Sequence, residues 1–304
     1  MGLMRICLIL TGILFPSLAQ AEAPLGSRNN PLKIAIIPQA QASKAIENAK
    51  PVIKCIEQKT KLFIQVEVPN SYIAVTEALG SKQVDVAFSN ILGYFLMAQN
   101  YGAEALFKVA RFGTTDYQSF LIVKSDSKIK SFSDLNGKSF AYGDAGSLTG
   151  YILPKLEMKK NKINFSQELP TGSMDASIMA LMQGKADAAA AFFNDPDPKT
   201  GKIRDARERL LSIYPDIVQK TNIIWKSELI PNEPVVIRKG IPKEIKDKLI
   251  ASMPGCMREH ALLINDIDDL LPILESDKSY KDLIETLKKS DLDVAKVLGK
   301  TKKK

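Results

Sequence analysis

One segment, residues 138–154, carries the side chains with the clearest potential to bind a ligand. An apolar run over 140–142 predicts a strand that ends at a glycine-rich turn. Two hydroxyl side chains, Ser147 and Thr149, follow where a helix should begin. Backbone N–H groups at a helix start lack partners within the helix and carry partial positive charge, so added hydroxyls would form a cradle for a small oxyanion. The same hydroxyls could instead only cap the helix, and the segment alone leaves both interpretations open.

Few other residue combinations in the sequence point to catalysis or to metal binding. His260 is the only histidine and no CxxC or Cys/His cluster is present, which argues against a zinc site and against a Ser-His-Asp triad. Tyr72, Asp144, Ser147 and Glu233 could in principle form a general acid/base set, yet no nucleophile has a neighbouring base in the sequence. We therefore expect a binding protein without a cofactor or a metal, and not an enzyme.

The first 21 residues have the features of a secretory signal, which sets the compartment of the protein. Arg5 supplies the positive start, an apolar core covers 7–15, and Ala19-Gln20-Ala21 fits the small-x-small rule for cleavage. Export permits a disulfide between Cys55 and Cys256, the two cysteines of the remaining chain, but two buried free thiols are an equally valid interpretation.

The charge of the chain bears on its partners. The formal net charge is +8, part of which lies in a lysine-rich tail, residues 297–304, for which we expect disorder. The remaining excess is modest and spread out, which favours anionic ligands in general but provides no concentrated patch and no base-reading motif. A small anionic solute is therefore expected as a partner, and a nucleic acid is not.

The elements that would hold the oxyanion cradle alternate between strand and helix. A β-α-β-α-β-α pattern covers residues 32–99 and a second α/β series covers 139–192, which predicts an α/β protein of two lobes. Each lobe should be a mostly parallel sheet flanked by helices, with the ligand cleft between the lobes. Extended segments near 115–124 and 230–238 are the expected hinges. Helices are then predicted at three further places: 243–253, 266–274 and 278–288.

Loops at the carboxyl ends of the predicted strands supply further candidate ligand contacts. Tyr72 follows the second strand and could donate its phenol to a ligand, or pack as a rim aromatic. Asn90 follows the third strand and is either a contact or a plain N-cap. Tyr117 lies at a proposed hinge, where packing between the lobes is the alternative to ligand contact.

Nine short motifs follow one another in a characteristic order along the chain. They cover residues 33–39, 68–72 with 75 and 77–79, 83–87, 117–119, 134–138, 143–154, 171–173, 184–188 and 230–234. In this order the chain resembles the periplasmic substrate-binding proteins of ABC importers for phosphonate, phosphite and phosphate. The resemblance implies a type II periplasmic-binding-protein fold that closes on its ligand and docks on an inner-membrane permease. We expect residues 31–116 and 236–296 to form lobe 1 and residues 117–235 to form lobe 2.

The resemblance also implies which side chains contact the ligand. The family holds the phosphonate group with a Ser-Thr-Ser-Gly loop, and Ser147, Leu148 and Thr149 occupy its first three positions here. Tyr72 and Tyr117 match tyrosines that the family uses.

Three positions depart from the family pattern. Leu148 removes the middle hydroxyl, Met174 stands where a histidine often follows a Gly-Ser pair, and Glu233 replaces a shorter acid. Because a buried phosphonate dianion needs several donors, the pocket should be drier, and its ligand a different small anion or one with an apolar part. Glu233 could accept a hydrogen bond from a protonated ligand oxygen, pair with a ligand amine, or be a solvated turn residue.

These inferences together predict a monomeric periplasmic protein that captures a small oxyanion and delivers it to an ABC permease. A secreted sensor or adaptor of the same fold, docking on a receptor, is the main alternative. A periplasmic enzyme acting on a phosphorus ester is the other.

Overall fold

A computed structural model describes residues 23–36, 42–260, 267–274 and 278–289. The predicted signal segment, residues 1–21, and the lysine-rich tail, residues 297–304, lie outside the described residues. Each helix within the described ranges is too short or too polar to cross a membrane.

Strands and helices alternate along the described part of the chain. The strands are β1 (Leu32–Ala35), β2 (Ile64–Glu67), β3 (Val86–Phe88), β4 (Glu104–Ala110), β5 (Asp116–Lys124), β6 (Ser139–Tyr142), β7 (Gln167–Pro170), β8 (Ala188–Phe193), β9 (Thr221–Lys226), β10 (Ile230–Pro231), β11 (Pro234–Ile237) and β12 (Asp269–Pro272). The α-helices are α1 (Ala42–Thr60), α2 (Tyr72–Gly80), α3 (Ile91–Tyr101), α4 (Leu153–Lys160), α5 (Met174–Met182), α6 (Lys243–Glu259) and α7 (Ser279–Lys289). Short 3-10 helices cover Phe132–Leu135 and Ala206–Leu210, and a π-helical turn, Leu148–Ile152, leads into α4.

The strands form two separate sheets, which confirms the prediction of a two-lobed α/β protein. The first has the order β12-β4-β11-β3-β1-β2, and β11 and β12 run against its other four strands. The second has the order β10-β5-β8-β6-β7, with β9 also on β5, and β5 alone runs against the others. Strands β3 and β11 are buried along their whole length, as central strands covered on both faces should be.

The chain passes between the two sheets twice, and the two crossings lie side by side. The first crossing joins β4 to β5 and the second joins β10 to β11. The Asn232 backbone N–H donates to the Thr115 carbonyl at 2.7 Å, and its side-chain amide donates to the Thr114 carbonyl at 3.0 Å. Two adjacent crossings are the usual construction of a hinge. They support the proposed lobe boundaries, which remain a proposal.

An apolar cluster, here called the interlobe cluster, joins elements of both sheets beside these crossings. It contains Ile91, Leu92, Phe95 and Leu96 of α3, Leu148 and Ile152 of the π-helical turn, Tyr280, Leu283 and Leu287 of α7, and Tyr117 and Ile230. The Tyr280 hydroxyl donates to the Asn232 carbonyl at 2.6 Å, which ties α7 to the second crossing. The lobes therefore share an apolar contact on one side of the hinge.

A disulfide joins Cys55 of α1 to Cys256 of α6, so the cysteines are not free thiols. The Cα atoms are 5.7 Å apart and the residues are separated by 201 positions in the sequence. Both helices contribute to the apolar core on one face of the first sheet.

The predicted helix over 266–274 is wrong for the part that the structure describes. Residues Asp269–Pro272 form β12, an edge strand that pairs antiparallel with β4. The short run Leu270-Leu271 fits either state by periodicity, and pairing with a distant strand decided between them. The helix predicted to begin near Ser147 and Thr149 starts as the π-helical turn.

Candidate functional site

Ser147 and Thr149 lie at the start of the π-helical turn, as the sequence predicts. The Ser147 hydroxyl accepts a hydrogen bond from the Gly150 N–H at 3.0 Å, which makes Ser147 the N-cap. Its carbonyl accepts from both Tyr151 N and Ile152 N, at 3.1 and 3.0 Å, and this wider ladder produces the π geometry. Because Ser147 accepts from Gly150, Tyr151 and Ile152, the N–H groups of Leu148 and Thr149 are the ones left as candidates for an anion at this end. Capping leaves the Ser147 O–H proton available as a donor.

Gly150 is required for this arrangement because a side chain there would collide with the capping serine. A Cβ atom at position 150 would lie 2.9 Å from the Ser147 Oγ. The glycine therefore permits the close approach that positions the hydroxyl of Ser147.

Ser119, which sequence analysis noted only within a motif, connects the π-helical turn to β5. Its hydroxyl donates to the Thr149 carbonyl at 2.6 Å, and both residues are buried, with 0% and 2% of their surface exposed. A π-helical turn displaces carbonyls from regular helix pairing, and β5 supplies the missing donor. The Ser119 N–H also donates to the hydroxyl of Ser227, and the Ser227 N–H donates to the Ser119 carbonyl, both at 2.9 Å, just before the second crossing.

A second helix start lies next to the cradle. Ser173 caps α5, and a Cβ atom at Gly143 would lie 2.6 Å from the Ser173 carbonyl carbon and 2.7 Å from the Met174 nitrogen. The loop after β6 therefore packs directly on the first residues of α5. Met174 packs partly buried against the core of the second sheet, in keeping with a wall residue.

Leu148 contributes packing between the lobes in place of the hydroxyl that it replaces. Only 7% of its surface is exposed, and it belongs to the interlobe cluster together with Ile91 and Leu92 of α3. The chain segment that carries Ser147 and Thr149 therefore runs beside the contact between the two lobes.

Two predicted contacts come from helix starts on the first sheet. Tyr72 opens α2 behind the N-cap Ser71 and remains 39% exposed. Asn90 caps α3, and its Oδ1 accepts from the Gly93 N–H at 2.6 Å. The structure thus gives Asn90 the capping role that sequence analysis held as the alternative. Its amide NH2 keeps two donors, and contact with a ligand stays a prediction.

Tyr72 is influenced by charged groups from both lobes. Burial, together with the negative charges of Glu233 and Asp144 and against the positive charges of Arg111 and Arg209, raises the pKa of Tyr72 to about 12. Asp144 follows β6 and Arg209 lies in the 3-10 helix after β8, so both belong to the second lobe. The phenol of Tyr72 is therefore a hydrogen-bond donor at neutral pH, within the electrostatic reach of groups from both lobes.

Tyr117 is a buried residue at the first crossing. It begins β5 beside the first crossing and pairs with Ile230 of β10. Burial raises its pKa well above the ordinary value, and Glu233 raises it further, whereas Arg111 lowers it. Tyr117 also belongs to the interlobe cluster, so the structure shows the packing role that sequence analysis kept as an alternative.

Glu233 forms an ion pair with Arg111, which sequence analysis did not identify. The pair joins the two crossings, and 31% of the Glu233 side chain and 19% of the Arg111 side chain are exposed. Glu233 is therefore an ion-pair residue and not a solvated turn residue. The partners are 122 positions apart, so no local pattern links them.

One group of potential metal ligands occurs within the described ranges, away from these residues. Donor atoms of Cys55, Glu259 and His260 lie within 4.8 Å of one another. Because the Cys55 sulfur is held in the disulfide, it is not a thiolate, and this group offers no complete metal site.

Comparisons with known proteins agree with this geometry. A family model described as the periplasmic substrate-binding protein of a phosphonate ABC transporter matches residues 34–276. The chain is 26% identical over 207 residues to the phosphonates-binding periplasmic protein of Escherichia coli (strain K12), covering 66% of this chain and 58% of that protein. It is 25% identical over 234 residues to the phosphate-import protein PhnD of Mycolicibacterium smegmatis, covering 72% of this chain and 69% of that protein. The chain thus spans less than two thirds of the length of the Escherichia coli relative.

Solved structures share the fold. XAC2383 from Xanthomonas citri, bound to chloride, superposes with a TM-score of 0.69 at 18% identity, covering 89% of this chain and 99% of that chain. PhnD1 from Prochlorococcus marinus, in complex with methylphosphonate, gives a TM-score of 0.60 at 15% identity, covering 89% and 98%.

Proposed function

Since this chain belongs to the family of periplasmic substrate-binding proteins of phosphonate ABC transporters, we propose that it captures a small phosphorus oxyanion between its lobes and delivers it to an inner-membrane permease. One observation carries the proposal for the site. Leu148 belongs to the interlobe cluster together with residues of α3, so the segment that carries the Ser147 and Thr149 hydroxyls runs beside the contact between the lobes. The relatives named for phosphonate binding and phosphate import support the ligand class.

The chemistry of this gap suits a small oxyanion. The N–H groups of the π-helical turn and the Ser147 and Thr149 hydroxyls would bind the anion on lobe 2. Tyr72 on lobe 1 and Tyr117 at the hinge would add phenol donors. Burying an anion is costly unless most of its oxygen atoms receive hydrogen bonds, so a ligand engaged by both lobes favours the closed form. The paired crossings provide the hinge for that closure.

Thermal unfolding with a panel of anions tests the proposal. The panel contains phosphate, phosphite, methylphosphonate, 2-aminoethylphosphonate and sulfate. A ligand present at 100 times its dissociation constant should stabilise the protein by about 2.7 kcal/mol. Absence of any shift with the four phosphorus compounds would refute the assignment.

Ser147→Ala tests the cradle itself, and Ser131→Ala is its matched control. Ser131 also caps a short helix, Phe132–Leu135, but it follows the end of β5 that is remote from the crossings. Loss of a hydrogen bond to a charged oxygen costs about 1.5–3 kcal/mol, so Ser147→Ala should weaken binding about 10- to 100-fold while Ser131→Ala leaves the affinity unchanged. Equal affinities for both variants would remove Ser147 from the site.

We also propose export with cleavage after Ala21 and a role without catalysis. Mass spectrometry of the protein from a periplasmic extract should give a chain that begins at Glu22. Incubation with the bound phosphorus compound should return it unchanged, and release of a new product would indicate an enzyme instead.

A further inference from the structure

We propose that the Arg111–Glu233 ion pair makes this protein select oxyanions that carry no amine, and discriminate against zwitterionic aminophosphonates. This inference rests on the proposed function, because it concerns the ligand class within the same cleft.

The backbone holds both partners at fixed places on the crossings. Arg111 exchanges two backbone hydrogen bonds with Thr114, at 2.9 and 3.0 Å, around the tight turn formed by Phe112 and Gly113. The Glu233 carbonyl accepts from the Val109 N–H at 3.3 Å. The two side chains meet across this ribbon and remain partly accessible. The pair is thus fixed at the two crossings, at the hinge between the lobes.

The pair also lies beside both phenols that we propose as ligand donors. Its two charges act on Tyr72 of α2 and on Tyr117 of β5, in opposite directions. A ligand held by these tyrosines would therefore lie within the electrostatic reach of Arg111 and Glu233.

The pairing changes what Glu233 can do for a ligand. An unpaired carboxylate at this place would attract the ammonium group of an aminophosphonate. Here the guanidinium of Arg111 already neutralises that carboxylate, and an incoming ammonium would also meet a like charge. An anion without an amine has no such conflict, since Arg111 carries five N–H donors and no acceptor.

Two further charges also act on Tyr72. Asp144 is the second acid, and Arg209 is the second base. The Asp144 Oδ1 accepts from the Gly146 N–H at 2.6 Å, and Arg209 lies 3.9 Å from Asp175. Glu233 is therefore the acid acting on Tyr72 that is directly paired with an arginine.

Two ligands of nearly equal shape isolate this effect. Propylphosphonate carries a methyl group where 2-aminoethylphosphonate carries its ammonium, so a change in the ratio of their dissociation constants between variants reports how the substituted residue interacts with the ammonium. Isothermal titration of the wild-type protein should show about tenfold tighter binding of propylphosphonate.

Substitutions of the two partners should move this ratio in opposite directions. Arg111→Gln leaves Glu233 unpaired, and it should shift the ratio about tenfold towards 2-aminoethylphosphonate. Glu233→Gln removes the negative charge beside Arg111, and it should shift the ratio further towards propylphosphonate. Arg111→Lys keeps the positive charge and should keep the wild-type preference. Glu233→Gln and Arg111→Lys keep the test decisive if Arg111→Gln does not fold.

Three results would overturn the inference. They are equal wild-type affinities for the two ligands, tighter wild-type binding of 2-aminoethylphosphonate, and a shift of the ratio in the same direction by Arg111→Gln and Glu233→Gln. Each leaves the proposed function intact, because a phosphorus oxyanion is still bound. Binding of neither ligand, nor of phosphate, phosphite or methylphosphonate, would refute the proposed function, and this inference with it.

Discussion

Replacing Ser119 with alanine would remove the donor that holds the π-helical turn in place. The Ser119 hydroxyl donates to the Thr149 carbonyl at 2.6 Å, and both residues are shielded from water. A buried carbonyl without a donor costs about 1–3 kcal/mol. Without ligand, Ser119→Ala can relieve this cost by shifting the π-helical turn towards water. Binding of the oxyanion must then return the turn to its original position, which costs binding free energy. The dissociation constant for the tightest phosphorus ligand should therefore rise about tenfold, which corresponds to about 1.4 kcal/mol.

Isothermal titration together with amide hydrogen exchange would separate a positioning role for Ser119 from a general loss of stability. Ser252→Ala is the matched control, because Ser252 is also buried and donates to a backbone carbonyl, that of Lys248, at 2.7 Å in α6. Ser119→Ala should speed exchange over 148–152 and weaken binding, and Ser252→Ala should do neither. If Ser119→Ala leaves both the affinity and the exchange of the turn unchanged, the reasoning about the turn is wrong.

Three further predictions concern the cleft and its scaffold. Gly150→Ala places a Cβ 2.9 Å from the Ser147 hydroxyl, so titration should show weaker oxyanion binding, with circular dichroism unchanged; unchanged affinity would show that the cap can move without loss. Replacing Cys55 and Cys256 by serine frees a chain separation of 201 residues, so urea unfolding should show a loss of about 2–5 kcal/mol with ligand affinity retained; an unaltered midpoint would contradict this. Because the pKa of Tyr72 is raised to about 12, its phenol stays protonated as the pH rises past 10, and binding should weaken only as the pH approaches 12. Tyr72→Phe should bind more weakly and lose that pH dependence in titrations at alkaline pH, and loss of wild-type affinity already near pH 10 would refute the assignment.

Local sequence signals predicted the helix starts well. Ser71 and Asn90 both cap the helices expected after them, because capping depends only on residues within three or four positions. The alternation of strands and helices likewise gave the two-lobed architecture, since each period is read over a short window.

The same local signals could not predict contacts between residues that are far apart in the sequence. Asp269–Pro272 became a strand because it pairs with β4, more than 150 residues earlier in the chain. Arg111 and Glu233 meet only through the two crossings, and Ser119 reaches Thr149 only once β5 lies beneath the π-helical turn. The hydroxyls of the candidate cradle could thus be predicted from the sequence. The residue that positions the turn, Ser119, and the ion pair of Arg111 and Glu233 could be identified only in the folded chain.

The tie between Tyr280 and the carbonyl of Asn232 has a practical consequence for observing ligand capture. Because the Tyr280 hydroxyl binds the second crossing, we expect α7 to move together with this crossing when the lobes close. Lys281 stands exposed on its outer surface, one residue beyond the tie. A fluorophore carried at that position would signal closure of the lobes from outside the cleft, and so convert the protein into an optical sensor for its own solute.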